Sequence, residues 1–234
     1  MLSARSEEAL EAMAAALPGT GHRAAPADLA EPGAAAALAE AAGDVDILVA
    51  NAGLPGTGRV EEFSADEIQR ALRVNLEAPM MLARALHPGM VARGAGHLVF
   101  VASLAGKSAS PRSSIYNATK FGLRGFALAL RTDLAGTGVG VSIVSPGFIR
   151  EAGMFADSGA SAPPGLGTAT PEAVAAGVLR AIERDRVEVA VAPLRQRALS
   201  HFSLATPAMT ARIMSGSAAR RSAEGLAKGQ TGKR

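Results

Sequence analysis

The chain has 234 residues, 48% of them apolar, and a formal net charge of only +3, enough length for one α/β domain with a sizeable core. It has no Cys, which excludes disulfides, thiolate catalysis and Cys-based metal sites. Its four His residues lack ligand spacing, no apolar run approaches the ~18 residues of a membrane span, and the first residues do not read as a signal peptide.

Ser6 is placed to cap a helix that runs to about Leu17 and ends at Pro18 and Gly19. Residues 22–29 read as a short strand that delivers Asp28, and residues 32–42 as an Ala-rich helix. Asp46 to Asn51 forms a buried strand. Ser64 to Glu67 has the form of a capping box and opens a long helix through Asn75 towards His87. His97 to Ser103 is the next strand, followed by a loop and a helix from about Ser113 to Leu134. Val139 to Ser145 is another strand. Residues 150–169, rich in Gly, Ala and Pro, suit a mobile flap that carries Met154 and Phe155. Thr170-Pro171-Glu172 starts a helix with Pro at its first position, and Val187 to Ala192 is a final strand. Strands that alternate with helices predict a parallel, doubly wound α/β sheet over residues 1–195, with no second domain.

Residues 196–234 are expected to be an extension with a basic, disordered tail. Arg220, Arg221, Lys228, Lys233 and Arg234 cluster there against Glu224 alone. A nucleic-acid partner is not expected, because one Tyr and seven Phe offer few stacking platforms.

The chemistry is concentrated in one stretch. Tyr116 and Lys120 are four residues apart on a predicted helix and therefore share a face. Ser103 lies thirteen residues before Tyr116, at the carboxyl end of a predicted strand. A phenol beside an ammonium is an acid/base device: the positive charge is expected to lower the phenol pKa from its usual ~10, which makes proton transfer at neutral pH practical. Ser103 can hydrogen-bond the same substrate oxygen.

These residues resemble the active site of the short-chain dehydrogenase/reductase family. Asn51-Ala52-Gly53 after an apolar run, Asn75 in Arg-Val-Asn-Leu, and Pro146-Gly147 after a strand match that family in order and separation. The resemblance implies a Rossmann-like fold and an NAD(P)-dependent oxidoreductase acting on a small-molecule carbonyl or alcohol. It also implies a homo-oligomer, dimer or tetramer; the lack of a long apolar run or a signal peptide makes a soluble cytoplasmic protein with no membrane span the default expectation. It makes Ser103, Tyr116, Lys120 and Asn75 catalytic, with Lys120 also binding the nicotinamide ribose and Asn75 holding a water of a proton relay. Asn51, Ala52 and Gly53 would line the adenine ribose, and Asp28 would bond the adenine amino group or, alternatively, cap a helix. Pro146, Gly147 and Ile149 would flank the nicotinamide, where Arg150-Glu151 stands in place of the family's usual Thr. Glu151 could accept from the cofactor amide or face the substrate. Arg5 ends a stretch without an acid, which favours NADP(H) over NAD(H), unless it is simply a solvated residue at a helix start.

The family opens with a strand, a Gly-rich turn and a helix that hold the pyrophosphate. This chain begins at what resembles the second strand, so that unit is expected to be missing and the true start to lie upstream. A non-catalytic remnant, acting as a scaffold or oligomer partner, is the alternative reading. The glycines Gly53, Gly56 and Gly58 are not a substitute fingerprint, because their spacing is wrong.

Overall fold

Four apolar runs become four parallel strands: β1 (Ile47–Ala50), β2 (Gly96–Val101), β3 (Val139–Pro146) and β4 (Glu188–Val191), in the order β1-β2-β3-β4. The computed structural model describes residues 1–230 and 232, with the side chains of 217–222 outside that description. Register is set by matched apolar pairs, Leu48 with Leu98, Leu98 with Val141 and Val144 with Val189. Helix α2 (Ala34–Ala42) precedes β1, and α3 (Ala65–Leu72), α4 (Ala78–Arg93), α5 (Ser114–Asp133) and α7 (Pro171–Glu183) run between the strands.

The period of two along a strand sorts side chains into two layers. Leu98, Phe100, Val141 and Ile143 join Leu82, Leu86, Met90 and Leu123 in the larger core, under α2, α4 and α5. Val99 and Val144 point the other way, to Ala181, Val189 and Val191 under α7. Helices on both faces explain why β2 and β3 read as continuous apolar runs. Phe100 and Phe126 meet edge to face at 5.7 Å within the larger core.

Several helix boundaries follow from local chemistry. Ser6 caps α1 (Glu7–Ala16) through Ala9 N. Ser64 and Glu67 form a reciprocal box, with Ser64 Oγ accepting from Glu67 N and Glu67 Oε2 from Ser64 N. Thr170 caps α7, and Pro171 occupies its first position.

Three expectations change. The strand expected to be buried at 46–51 is a half-exposed edge strand, with Ile47 and Val49 exposed. The strand at 22–29 reduces to a short parallel pairing: Leu2 N donates to Arg23 O, Ala25 N to Leu2 O and Ala27 N to Ala4 O. The carboxyl-terminal segment forms helices: α8 (Leu194–Ala205), α9 (Pro207–Met214) and α10 (Ser217–Gln230). Composition misled here, because α10 is held by contacts that a residue count does not show. Ala227 and Gln230 are buried, Glu224 pairs with Arg112 at 3.0 Å, and Gly229 packs on the Ser158 carbonyl, where a Cβ has no room. The end of the expected tail, Lys233 and Arg234, lies outside the described residues.

A buried ion cluster ties the sheet edge to the loop after β2. Lys107, 3% exposed, contacts Glu188 Oε1 at 3.0 Å, and Arg124 contacts Glu188 Oε2 at 3.1 Å. Ser145 Oγ donates to the same carboxylate. Burial pushes the Glu188 pKa up, but these donors outweigh it and hold the carboxyl below its usual range. Glu188→Ala leaves Lys107 unpaired in the interior, and it is expected to cost about 3–5 kcal/mol in urea unfolding. Glu188→Gln keeps one acceptor but sets an N–H donor against Arg124 or Lys107 and removes the counter-charge, so it is expected to cost a comparable amount.

Candidate active site

The carboxyl ends of β2 and β3 place Ser103 and Pro146 side by side: Ser103 Oγ lies 3.5 Å from Pro146 O and accepts from Ala105 N at 3.1 Å. That second bond caps a short 3-10 turn at Leu104–Gly106 and fixes the hydroxyl. One turn into α5, Tyr116 takes a hydrogen bond from Ser103, and Lys120 follows on the same face. The Lys120 ammonium sits 5.7 Å from the centre of the Tyr116 ring, within cation–π range. The structure therefore brings Ser103, Tyr116 and Lys120 together.

Close packing makes this possible, and glycines permit it. Gly56 O accepts from Tyr116 N at 3.3 Å, and a Cβ at Gly56 would lie 2.9 Å from that nitrogen. A Cβ at Gly106 would lie 2.7 Å from Lys120 O. Both loops thus press on the α5 backbone at the two site residues. Sequence reasoning gave Gly56 no role, because its partner is sixty residues away.

Lys120 is 2% exposed and, among the described residues, makes one hydrogen bond, to Val101 O at 3.2 Å. Burial pushes its pKa down to about 8. The Tyr116 pKa moves in the direction opposite to the sequence expectation. Burial raises it, and the Ser103 hydrogen bond offsets only part of the rise. Desolvation of a phenolate governs here, because the ammonium lies over the ring.

Asn75 is buried in a widened π turn, Arg73–Glu77, between α3 and α4. The extra residue turns its amide inward, a common use of such bulges. Oδ1 accepts from Leu54 N at 2.7 Å, and Nδ2 donates to Leu54 O and Thr119 Oγ1. Asn75 thus locks the loop after β1 to α5 and makes no hydrogen bond to Lys120. Asn51 and Ala52 are exposed at the end of β1. Over Gly53, a Cβ would meet Asn75 Oδ1 at 3.4 Å, Met154 Cε at 3.6 Å and Lys120 Nζ at 3.8 Å. The glycine opens a space edged by Lys120 and partly filled by Met154.

The remaining candidates are spread around this centre. Asp28 Oδ1 accepts from Ala30 N at 2.9 Å in a local turn. It is not the cap of α2, which begins two residues later than expected, after Gly33. Arg5 is exposed just before α1. Gly147 N donates to Val191 O, and Ile149 bridges Ala169, so the Pro146–Ile149 loop is held against the flap. Glu151 is exposed, sits in the left-handed region (φ 77°) and accepts from Arg150 Nε at 2.6 Å.

Within the flap, α6 (Gly153–Ala156) stacks Phe155 on Phe148 at 4.8 Å. Gln230 at the end of α10 donates to Met154 O at 3.0 Å and bonds Thr57 with its other side-chain atom. This latch over the site carried no signal in the sequence.

The family model for short chain dehydrogenase matches residues 1–162. The chain belongs to this family. A ketoacyl reductase, HetN, from Nostoc sp. is 43% identical over 149 residues, covering 64% of this chain and 52% of its own length. A short-chain dehydrogenase from Sphingobium yanoikuyae, solved in complex with NADPH, superimposes with a TM-score of 0.75 at 26% identity, covering 92% of this chain and 84% of that one. A metagenomic short-chain oxidoreductase in complex with NADP gives 0.66 at 32% identity, covering 81% and 83%. The sheet and its helices are Rossmann-like, as in these members. The chain spans about half the length of the curated relatives it matches.

The buried ammonium makes stability depend on pH in a defined direction. With a folded pKa of about 8 against 10.5, the unfolded chain binds more protons between those values, so stability rises with pH across that window. From pH 7.5 to 9.5 the gain from Lys120 is expected to be on the order of 2 kcal/mol. Tyr116, its pKa raised, opposes this only above about 10. Urea unfolding across the window should show the rise, and Lys120→Met should flatten it.

Proposed function

We propose that this chain is an NADP(H)-dependent oxidoreductase that interconverts a carbonyl and a secondary alcohol, with Tyr116 as general acid and base. The observation that carries this reading is the cluster at the strand ends, with Ser103 and Tyr116 half-buried and Lys120 buried. A Ser hydroxyl is bonded to a phenol, and an ammonium lies 5.7 Å from the phenol ring. The nicotinamide would supply or accept the hydride.

The raised pKa keeps the proton on Tyr116 at neutral pH, the state that donates to a carbonyl oxygen during reduction. In oxidation the same oxygen removes the alcohol proton. Ser103 Oγ hydrogen-bonds the substrate oxygen and aligns it with the phenol. Lys120 keeps most of its charge at pH 7, given a pKa of about 8. With one acceptor among the described residues for three N–H donors, it suits the hydroxyls of the nicotinamide ribose. Asn75 is assigned to holding a water that joins Lys120 to solvent, since its Oδ1 and Lys120 Nζ border the same space over Gly53.

Asn51, Ala52 and Gly53 are assigned to the adenine ribose, and the second carboxylate oxygen of Asp28 to the adenine amino group. Pro146, Gly147 and Ile149 would flank the nicotinamide. The described residues thus fit the two ends of the cofactor, and the assignment places its pyrophosphate on none of them. Arg5, exposed, suits a 2′-phosphate, and the relatives solved with NADPH and NADP lean the same way. The setting is cytoplasmic. Exposed Met80 and Met81 on α4 and Phe121 on α5 support a homo-oligomer.

With a ketone panel and NADPH, Tyr116→Phe is expected to lower kcat by about 10²–10⁴-fold while leaving NADPH binding intact. Undiminished turnover would refute the role of Tyr116. In thermal unfolding, NADPH at ~100 times Kd should add about 2.7 kcal/mol, a shift of several degrees. NADH should add less, and Arg5→Glu should reverse that order. A cooperative transition indifferent to both would favour a non-catalytic scaffold or oligomer partner.

A further inference from the structure

Helix α8 is inside out. Its buried residues are Gln196, Ser200 and Ser203, at helical spacing. Gln196 receives a bond from Phe148 N and donates to Leu166 O and Gly167 O, and Ser203 bonds Ser108. The inward face is therefore polar and satisfied, and the apolar side chains point outward. Leu194 is 77% exposed, and Leu199 and Phe202 are exposed beyond it. Leu194, Ala198 and Phe202 follow at four-residue steps, which makes one stripe. Helix α9 continues it: the helix buries no residue, and Met209 and Ile213 are exposed, Ile213 by 61%.

Cations are threaded through this stripe. Arg195, Arg197 and Arg212 lie on the two helices, and no acid occurs between residues 194 and 216. Residues 194–234 hold eight Lys and Arg against one acid, a net +7, whereas the preceding 193 residues hold 16 against 20, a net −4. The single acid, Glu224, is already engaged by Arg112. The helices are also too short to cross a bilayer.

We propose that α8 and α9 form a docking face for the surface of an anionic phospholipid membrane. Outward apolar side chains flanked by arginines are the pattern of a helix lying in the interface plane, where Arg stems snorkel and their heads meet lipid phosphates. A second copy seated on this face would bring two +7 segments together. An acidic protein fits less well, because Arg195 falls inside the apolar stripe, and charge is depleted at the core of protein interfaces. The open edge of β1 lies across the sheet from β4, which precedes α8, so a strand added there would leave this stripe uncovered. Gln196 ties α8 to the Phe148 loop and the Gly167 turn, so docking would set the flap side of the molecule at the lipid boundary.

The test is sedimentation of the full chain with vesicles of phosphatidylcholine, with and without phosphatidylglycerol. Binding is expected with phosphatidylglycerol, to fall with added salt, and to be weak without it. The combined variant Leu194→Ser, Leu199→Ser, Phe202→Ser should lower partitioning by at least about tenfold while the chain still unfolds cooperatively. Arg195→Gln with Arg212→Gln should remove the preference for the anionic lipid. Absence of binding to phosphatidylglycerol vesicles would overturn the proposal, as would binding that the triple variant leaves unchanged. It would equally be overturned by light scattering showing a dimer that the triple variant dissolves, or by an acidic protein that occupies the face and blocks vesicle binding.

Discussion

An ammonium held out of water at the carboxyl end of a parallel sheet is the constraint on which the rest of this molecule turns. Among the described residues Lys120 has one acceptor, a carbonyl at the end of β2. A charge there is costly, which its lowered pKa reflects, and the fold closes in on it from every side. Asn75 fixes the loop after β1, Gly56 and Gly106 bring two loops onto the α5 backbone, and Ser103 holds the phenol beside it. Each of these contacts joins residues distant in the chain. The site is therefore a property of the packed sheet rather than of one motif.

That distinction explains what the sequence could and could not convey. Ser103, Tyr116 and Lys120 were legible because a strand end and a helix turn place them by local geometry alone. The capping box at Ser64 and Glu67 was legible for the same reason. The direction of the Tyr116 pKa was not, since it depends on how dry the packed site is, while the spacing shows only that a cation is near. The π turn at Asn75 was hidden because its residues have ordinary helical composition, and widening follows from what the side chain must reach. Glu188 with Lys107 and Arg124 was hidden because its members are spread over more than eighty residues.

The carboxyl-terminal segment shows the same lesson from the other side. Counts of Gly, Ser and Lys suggested a solvated end, yet α8 and α10 are anchored by glutamines and small residues: Gln196 on the turn at Gly167, Gln230 on Met154, and Gly229 on Ser158. Such anchors use polar atoms and close approach instead of apolar bulk. A hydropathy pattern does not register them, and on α8 the pattern is inverted outright. Charge is divided along the same line, with an acidic sheet domain and a basic terminal segment.

The position of Met154 has a consequence for access. Its methyl lies over Gly53 beside the Lys120 ammonium, and its carbonyl is held by Gln230. A molecule that approaches the ammonium from over Gly53 has to displace that methyl, which the three rotatable bonds of the methionine side chain allow while Gln230 keeps the backbone in place. The helix at the far end of the chain thereby steadies the wall of the site at its centre.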